Sequence, residues 1–493
     1  MSPTRNTPGI STKILATVGP ASGSEQTLRR LVAAGADMFR LNFSHGSLEE
    51  HGEALARIRQ VAEISPRPIA VLGDLAGPKI RLGEVADEEG DCDSPLANGM
   101  RIESGEQLIF QREPIIGKEG RVSTNYDRFV DEVEEGQRVL IDDGLLRFIV
   151  ADKRDDEIVC QCIAGGQLRS RKGINLPDTP LSISALSDKD RTCAAWAIEH
   201  DLDFLALSFV REAKDVQQLR DLLDKQGGEQ HIIAKIETPQ ALVAIDDIIE
   251  ASDGLMIARG DLGVEIDLAR VPLIQKDLIK RCRDVAKPVI VATQMLQSMV
   301  ESSSPTRAEV SDVANAIFDG TDAVMLSGET AVGRYPLLAV DTMSHVAVTT
   351  ENYLLRHESH NERFISPVRI PEQDVSLAHG AWQVTRHLNA RLVVVWSQSG
   401  TMARTFAKLR LPMPVVALSS SHATVRRMAM YFGIIPRYME VPQSITQLTP
   451  RLETLLLEDE LVERDETILI IAGTRLGSPG RSNAIVIHRI GQT

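Results

Sequence analysis

A chain of 493 residues is too long for a single hydrophobic core and implies about three domains. Its 43% apolar and 25% charged residues exclude a disordered chain, and with aromatics at only 4% the core must be built from Val, Ile, Leu and Ala, which suits buried parallel sheets faced with helices. The net charge of −15 argues against nucleic acid or an anionic membrane as the main partner, although 54 Lys and Arg leave room for a local phosphate pocket.

Eight short apolar runs rich in β-branched residues follow one another: Lys13–Val18, Met38–Phe43, Pro68–Leu75, Phe204–Phe209, His231–Glu237, Gly254–Asp261, Pro288–Thr293 and Ala323–Ser327. Apolar residues recur at helical spacing in Glu25–Ala34, Leu48–Ala62, Lys214–Lys225, Gln240–Ile249, Val271–Lys287 and Ser304–Asp319. Eight strand–helix units predict a (β/α)8 TIM barrel. Between the third and fourth strands the segment from Pro78 to Ser187 breaks the rhythm. It is β-rich, with strands predicted at Gln107–Phe110, Arg138–Ile141, Leu146–Val150 and Ile158–Ile163. A connection that long needs its own fold, and it leaves the active-site end of a barrel strand, so it reads as a lid. The expected domains are barrel over 1–77 and 181–353, an inserted β-barrel-like lid over 78–180, and a C-terminal open α/β domain over 354–493. The polar run Arg356–Pro371 is the expected linker, and strands are predicted after it at Arg391–Trp396, Pro414–Leu418, Thr467–Ala472 and Ala484–His488.

Five cysteines (Cys92, Cys160, Cys162, Cys193, Cys282) lack metal or redox spacing and read as reduced thiols. No apolar leader or run of about 18 apolar residues occurs, so the expected location is the cytoplasm. The acidic run Asp87–Asp93 reads as a solvated lid turn.

The predicted strand ends carry an unusual set of polar residues: Arg40, Asn42 and Ser44; Asp74; Lys235 and Glu237; Arg259, Gly260 and Asp261; Thr293; Ser327 and Glu329. Charges there are costly without a task. Glu237 and Asp261 are hard oxygen ligands suited to Mg²⁺ or Mn²⁺, and Lys235 faces the same side as Glu237. The helix opening at Gly260–Gly263 offers free N–H groups to a carboxylate, while Arg40 and Arg81 suit phosphate oxygens. A divalent metal, a lysine, arginines and no obvious covalent nucleophile point to phosphoryl transfer.

Seven segments then become specific: MFRLNFSHG (38–46), LGDLAGPKIR (72–81), KGINLP (172–177), AKIET (234–238), ARGDLGVE (258–265), ATQML (292–296) and MLSGETAVGRYP (325–336). In this order they closely resemble the signature segments of pyruvate kinases, and the likeness covers nearly the whole chain. The resemblance implies transfer of phosphoryl from phosphoenolpyruvate to ADP, giving pyruvate and ATP. It implies Mg²⁺ on Glu237 and Asp261, with Lys235 and Arg40 on the moving phosphoryl group. Gly260, Asp261 and Thr293 would hold the substrate carboxylate, and Thr293 and Ser327 would lie near the water that protonates the enolate. Asn42, His45, Arg81 and Lys172 are implied at the nucleotide.

Family members that bind K⁺ use positions matching Asn42, Ser44, Asp74 and the Leu75 carbonyl, with a Glu where this chain has Lys79. A lysine is itself a monovalent cation, so K⁺ independence is expected. The loop of Ser397, Ser399, Gly400 and Thr401, facing Gly473–Gly480, is implied as the site of a phosphorylated effector such as a sugar monophosphate or AMP. The resemblance also implies a homotetramer. A Mg²⁺-dependent lyase or aldolase acting on pyruvate or oxaloacetate is the competing enzyme reading, but it needs neither lid nor C-terminal domain. A silent effector-binding protein is the non-enzyme reading, and the intact Lys235, Glu237, Asp261 and Thr293 speak against it.

Overall fold

Eight mostly aliphatic runs become the parallel strands of a closed barrel in the computed structural model, which describes residues 11–86, 99–357, 372–473 and 482–492. They are Lys13–Thr17, Met38–Asn42, Ala70–Asp74, Phe204–Leu207, His231–Ile236, Gly254–Ala258, Val289–Ala292 and Ala323–Leu326. Side chains alternate in facing. Leu15, Met38, Leu72, Phe204, Ile233 and Met256 belong to one buried cluster, on the barrel's inner face. Their neighbours Ile14, Phe39, Val71, Leu205, Ile232 and Leu255 belong to the cluster shared with the surrounding helices.

Several predicted boundaries shift. The sixth strand stops at Ala258, because Arg259 already begins the short helix Arg259–Glu265. The helix predicted over 240–249 is two, Pro239–Val243 and Ile245–Ala251, and an unanticipated helix Asp188–Glu199 precedes the fourth strand.

The foot of the barrel is closed by a repeated device. Asp37, Asp203, Asp253 and Asp322 each stand just before an even-numbered strand, and each carboxylate accepts the backbone N–H of the preceding odd strand: Ile14 (2.9 Å), Val71 (2.8 Å), Ile232 (2.8 Å) and Val289 (2.9 Å). Cations then neutralise the buried charges. Arg67 serves Asp37, Arg59 and Arg426 serve Asp203, Arg220 serves Asp253, and Lys408 with Arg410 serves Asp322. Arg426, Lys408 and Arg410 come from the C-terminal domain, so that domain docks on the aspartate ring.

The inserted segment forms a six-stranded sheet in the order Ile174–Asn175, Arg138–Ile141, Leu146–Lys153, Glu157–Ala164, Gln107–Gln111, Arg121–Val122, with a two-stranded sheet of Met100–Ile102 and Gly166–Leu168 beside it. Phe110, Phe129 and Phe148 anchor its own core. The C-terminal domain is an open five-stranded sheet in the order Ile434–Tyr438, Val415–Ser419, Val393–Trp396, Thr467–Ala472, Ala484–Arg489, with only the last strand antiparallel. Strand Ile434–Tyr438 was not expected from the sequence. Of the predicted linker, Arg356 and His357 end the helix Pro336–His357, and 358–371 lie outside the described residues, as do Asp87–Asp93 and Cys92. The other four cysteines are free and buried, and burial pushes the Cys160 and Cys282 thiols up to about 12. Among the described residues, no helix is long and apolar enough to cross a membrane.

Candidate active site at the barrel mouth

Because side chains repeat every two residues, the inner face of five strands continues upward into a polar residue at the C-terminal end. Thr17, Arg40, Asp74, Ser208 and Lys235 are brought together in this way. The Lys235 ammonium donates to Ser208 Oγ (2.6 Å) and stands 2.9 Å from Glu237 Oε1 and 3.2 Å from Asp74 Oδ1. Arg40 Nε meets Asp74 Oδ2 at 2.6 Å, and its Nη1 donates to Thr17 Oγ1 at 3.1 Å.

Burial disfavours the charged Lys235, but Asp74 and Glu237 outweigh it and raise the ammonium above its ordinary range, so the lysine stays protonated. Burial likewise works against Asp74, and Lys235 and Arg40 bring its carboxyl below the usual value. Glu237 is held up by burial and by Asp261, with Lys235 pulling the other way. Its Oε2 accepts the Phe209 N–H (2.8 Å). Phe209 has φ 53°, and Thr293 and Gln294 have φ 65° and 55°. Non-glycine residues rarely adopt this conformation, and it collects where a site must aim its groups.

Asp261 and Glu265 sit one turn apart on the helix Arg259–Glu265, at the edge of an open cleft of about 700 Å³ that also takes in Lys79 and Asn175 from the hinge and lid. Asp261 is half-buried, and its carboxylate has no hydrogen bond or ion pair among the described residues. Glu265 is buried, and burial pushes its carboxyl up to about 7; Asn175 opposes the shift, while Glu237 and Asp261 add to it. The carboxylates of Glu237, Asp261 and Glu265 repel one another, which is the setting a hard cation relieves. Among the described residues no cluster of three His, Cys or carboxylate groups forms an all-protein cage. Two carboxylates with room for substrate and water oxygens fit Mg²⁺.

Thr293 Oγ1 accepts the Gly260 N–H at 2.7 Å and donates to the Ala292 carbonyl. The N–H expected to meet a substrate carboxylate is thus held by a threonine hydroxyl beside it. A Cβ on Gly260 would stand 3.2 Å from Thr293 Oγ1, so the glycine permits this approach. Ser327 Oγ is buried with no hydrogen-bond partner among the described residues.

Two polar residues of the predicted strand ends are structural. Glu329 accepts the N–H groups of Leu296 (3.1 Å) and Ser327 (2.7 Å) and ties the last two strand ends together. Arg259 pairs with Asp312 (2.7 Å) and reaches the Thr293 carbonyl.

Of the residues implied at the nucleotide, Arg81 is exposed and donates to the Arg171 carbonyl (3.0 Å), while Lys172 pairs with Asp142 (2.8 Å). Asn42 Oδ1 accepts the Ser44 N–H (3.2 Å), and exposed His45 offers its carbonyl to the His51 ring. The Leu75 carbonyl accepts from Ser208 Oγ (2.7 Å). Lys79 is exposed in the cleft beside Gly173, with no ion pair among the described residues; Asp74 is met by Arg40 and Lys235 instead. In the C-terminal domain Ser397 Oγ is buried and accepts the Ala403 N–H (3.2 Å), Gly400 (φ 82°) caps the helix Thr401–Lys408, and Ser399 bonds Thr401 (3.1 Å). Of the facing loop only Gly473 lies within the described residues.

Sequence reasoning missed Ser208, Phe209 and Glu265. Ser208 shares the inner-face register of Ala206, so counting two past Ala206 finds it. Glu265 falls four residues after Asp261, which on a helix means one face.

The family model described as "Pyruvate kinase, barrel domain" matches residues 10–340, and "Pyruvate kinase, alpha/beta domain" matches 375–488. A pyruvate kinase of Geobacillus stearothermophilus is 40% identical over 487 residues, covering 97% of this chain and 80% of that protein. One from Mycobacterium tuberculosis is 39% identical over 482 residues, covering 97% and 98%. A crystal structure of a pyruvate kinase from Cryptosporidium parvum superposes with a TM-score of 0.90 at 31% identity, covering 99% and 98% of the two chains. The chain belongs to the pyruvate kinase family of phosphotransferases.

Proposed function

We propose that this chain moves the phosphoryl group of phosphoenolpyruvate onto ADP, giving pyruvate and ATP. The observation that carries the reading is the Lys235 ammonium, fixed between Asp74 and Glu237 at the barrel mouth. Glu237 and Asp261 would hold Mg²⁺, which when bound supplies positive charge against the phosphoryl and enolate oxygens. Lys235 and Arg40 neutralise the phosphoryl group as the bond to the substrate oxygen breaks and the bond to an ADP phosphate oxygen forms. Gly260, Asp261 and Thr293 hold the substrate carboxylate. Thr293 and Ser327 then orient the water that gives a proton to the enolate carbon. Asn42, His45, Arg81 and Lys172 meet the nucleotide phosphates.

The same reading includes K⁺ independence, with Lys79 supplying a fixed monovalent charge from the exposed cleft wall. It also includes a phosphorylated effector at Ser397, Ser399, Gly400 and Thr401, a homotetramer, and a cytoplasmic location. The test is pyruvate release from phosphoenolpyruvate and ADP with Mg²⁺ and tetramethylammonium, followed by K⁺ in the same cuvette. Turnover before K⁺ supports both the activity and the role of Lys79. Turnover only after K⁺ keeps the activity and discards Lys79. No turnover in either, with a sugar-phosphate panel also failing, discards the activity.

A further inference from the structure

Two of the places where the lid touches the barrel lie on one turn of helix. Asn175 Nδ2 donates to Glu265 Oε1 at 2.9 Å, and the backbone of Gly144 packs so closely on Val264 that a Cβ there would stand 3.2 Å from Val264 Cγ1. Both contacts fall on the helix Arg259–Glu265, which also carries Asp261. Glu265 is 6% exposed. A buried carboxylate is costly unless partners compensate it. The barrel supplies repulsion, from Glu237 and Asp261; the lid supplies attraction, from the Asn175 amide and the Arg138 guanidinium. Arg138 is itself fixed by a pair of bonds to Asp178 (2.8 and 2.7 Å) within the lid, so its charge does not wander. The hydrogen bond and the nearby cation that oppose the cost of burying Glu265 therefore both come from the lid.

We propose that Glu265 is the positioning residue that holds the lid closed over the cleft, through Asn175, and sets the lid against the same helical turn that aims Asp261. This rests on the phosphoryl-transfer reading for its kinetic consequence but not for its structural one. With the lid located by this contact, Lys172 and the hinge residue Arg81 stand where a nucleoside diphosphate is gripped. Loosening the contact therefore weakens nucleotide capture more than capture of the barrel-bound substrate.

The test uses the full-length chain and the variants Glu265→Ala, Glu265→Gln and Asn175→Ala. Hydrogen exchange in metal-free protein reads the lid directly. Glu265→Ala and Asn175→Ala should each speed exchange of the Ile174 amide and the 142–145 turn by about fivefold, with barrel strands unchanged. In steady-state assays each should raise KM for ADP about five- to tenfold while KM for phosphoenolpyruvate stays within about twofold. The double variant should be no worse than either single one, because one contact is removed in all three. Glu265→Gln keeps an oxygen acceptor for Asn175 and should recover most of both effects. Unchanged lid exchange in Glu265→Ala and Asn175→Ala overturns the proposal, as does a Glu265→Gln variant as impaired as Glu265→Ala. Faster exchange throughout the barrel also overturns it, since that marks a general structural role. If the wild-type chain itself shows no turnover, the activity reading fails while the exchange result still decides the role of Glu265.

Discussion

Lys408 of the C-terminal domain forms an ion pair with Asp322 at the foot of the barrel, with both side chains at 1% exposure or less. The same Asp322 carboxylate clamps the seventh barrel strand through the Val289 N–H. Burial lowers the Lys408 ammonium from its ordinary value, and Asp322 opposes that shift. One carboxylate thus serves strand and domain together. Removing only the lysine leaves a buried negative charge facing Arg410 at 4.0 Å. Lys408→Met should destabilise the chain by about 3–5 kcal/mol, and Lys408→Met combined with Asp322→Asn should recover much of that loss. Urea midpoints for the two single variants and the double variant measure it. Additive losses would mean the pair is not coupled.

At the other end of the barrel, Lys235 is the cation shared by Asp74 and Glu237. Its position at the barrel mouth is useful only if charge develops there during reaction. Lys235→Met should lower kcat by roughly a thousandfold, with the change in KM for phosphoenolpyruvate much smaller, since preorganised charge acts chiefly on the transition state. Lys235→Arg should recover little, because the guanidinium cannot satisfy Ser208 Oγ, Asp74 and Glu237 from one nitrogen. Steady-state kinetics on the two variants decide this.

Gly260 gives a finer test of the same mouth. A methyl group there would meet Thr293 Oγ1 at 3.2 Å, close enough that the hydroxyl must move by a few tenths of an ångström. Thr293 sits at φ 65° and has little freedom to follow. Gly260→Ala should lower kcat/KM for phosphoenolpyruvate by about tenfold to a hundredfold with only a small loss in melting temperature. Equal kinetics would show that the Thr293–Gly260 contact is not part of substrate binding.

These residues differ in how legible they were. Lys235, Glu237 and Asp74 stand out because a polar residue at the end of a fully apolar strand contradicts the barrel pattern. Arg259 and Glu329 break the pattern in the same way yet tie backbone and helix together, and no feature of their spacing separates them from Lys235. The aspartate ring was written in the chain as Asp37, Asp203, Asp253 and Asp322, each immediately before a strand, but its meaning needs the strand order. Strand Ile434–Tyr438 escaped because Pro436 lies within it. It is an edge strand paired on one side only, where a missing N–H costs little. Glu265 escaped because the helix opening at Gly260 was read for its free N–H groups, and its side chains were not followed the one turn that puts Asp261 and Glu265 on one face.

The barrel foot also makes a prediction about pH. His231 opens the fifth strand with its ring edge-on to Phe204, and burial lowers it to about 4. Asp253 pulls toward protonation, while Arg427, Arg404 and Arg220 oppose it. The folded chain therefore keeps this ring neutral at pH values where the unfolded chain, with a value of about 6.5, binds a proton. Between about pH 6.5 and 4 the unfolded state takes up more protons, so stability falls as pH drops through that window and is fully present above it. The total is about 3–3.5 kcal/mol, most of it reached by pH 4. His231→Phe keeps the ring and removes the titration. Its unfolding free energy should run parallel to wild type above pH 7 and fall less steeply below pH 6.5. Parallel curves across the whole range would mean that His231 is protonated as readily in the folded chain as in the unfolded one.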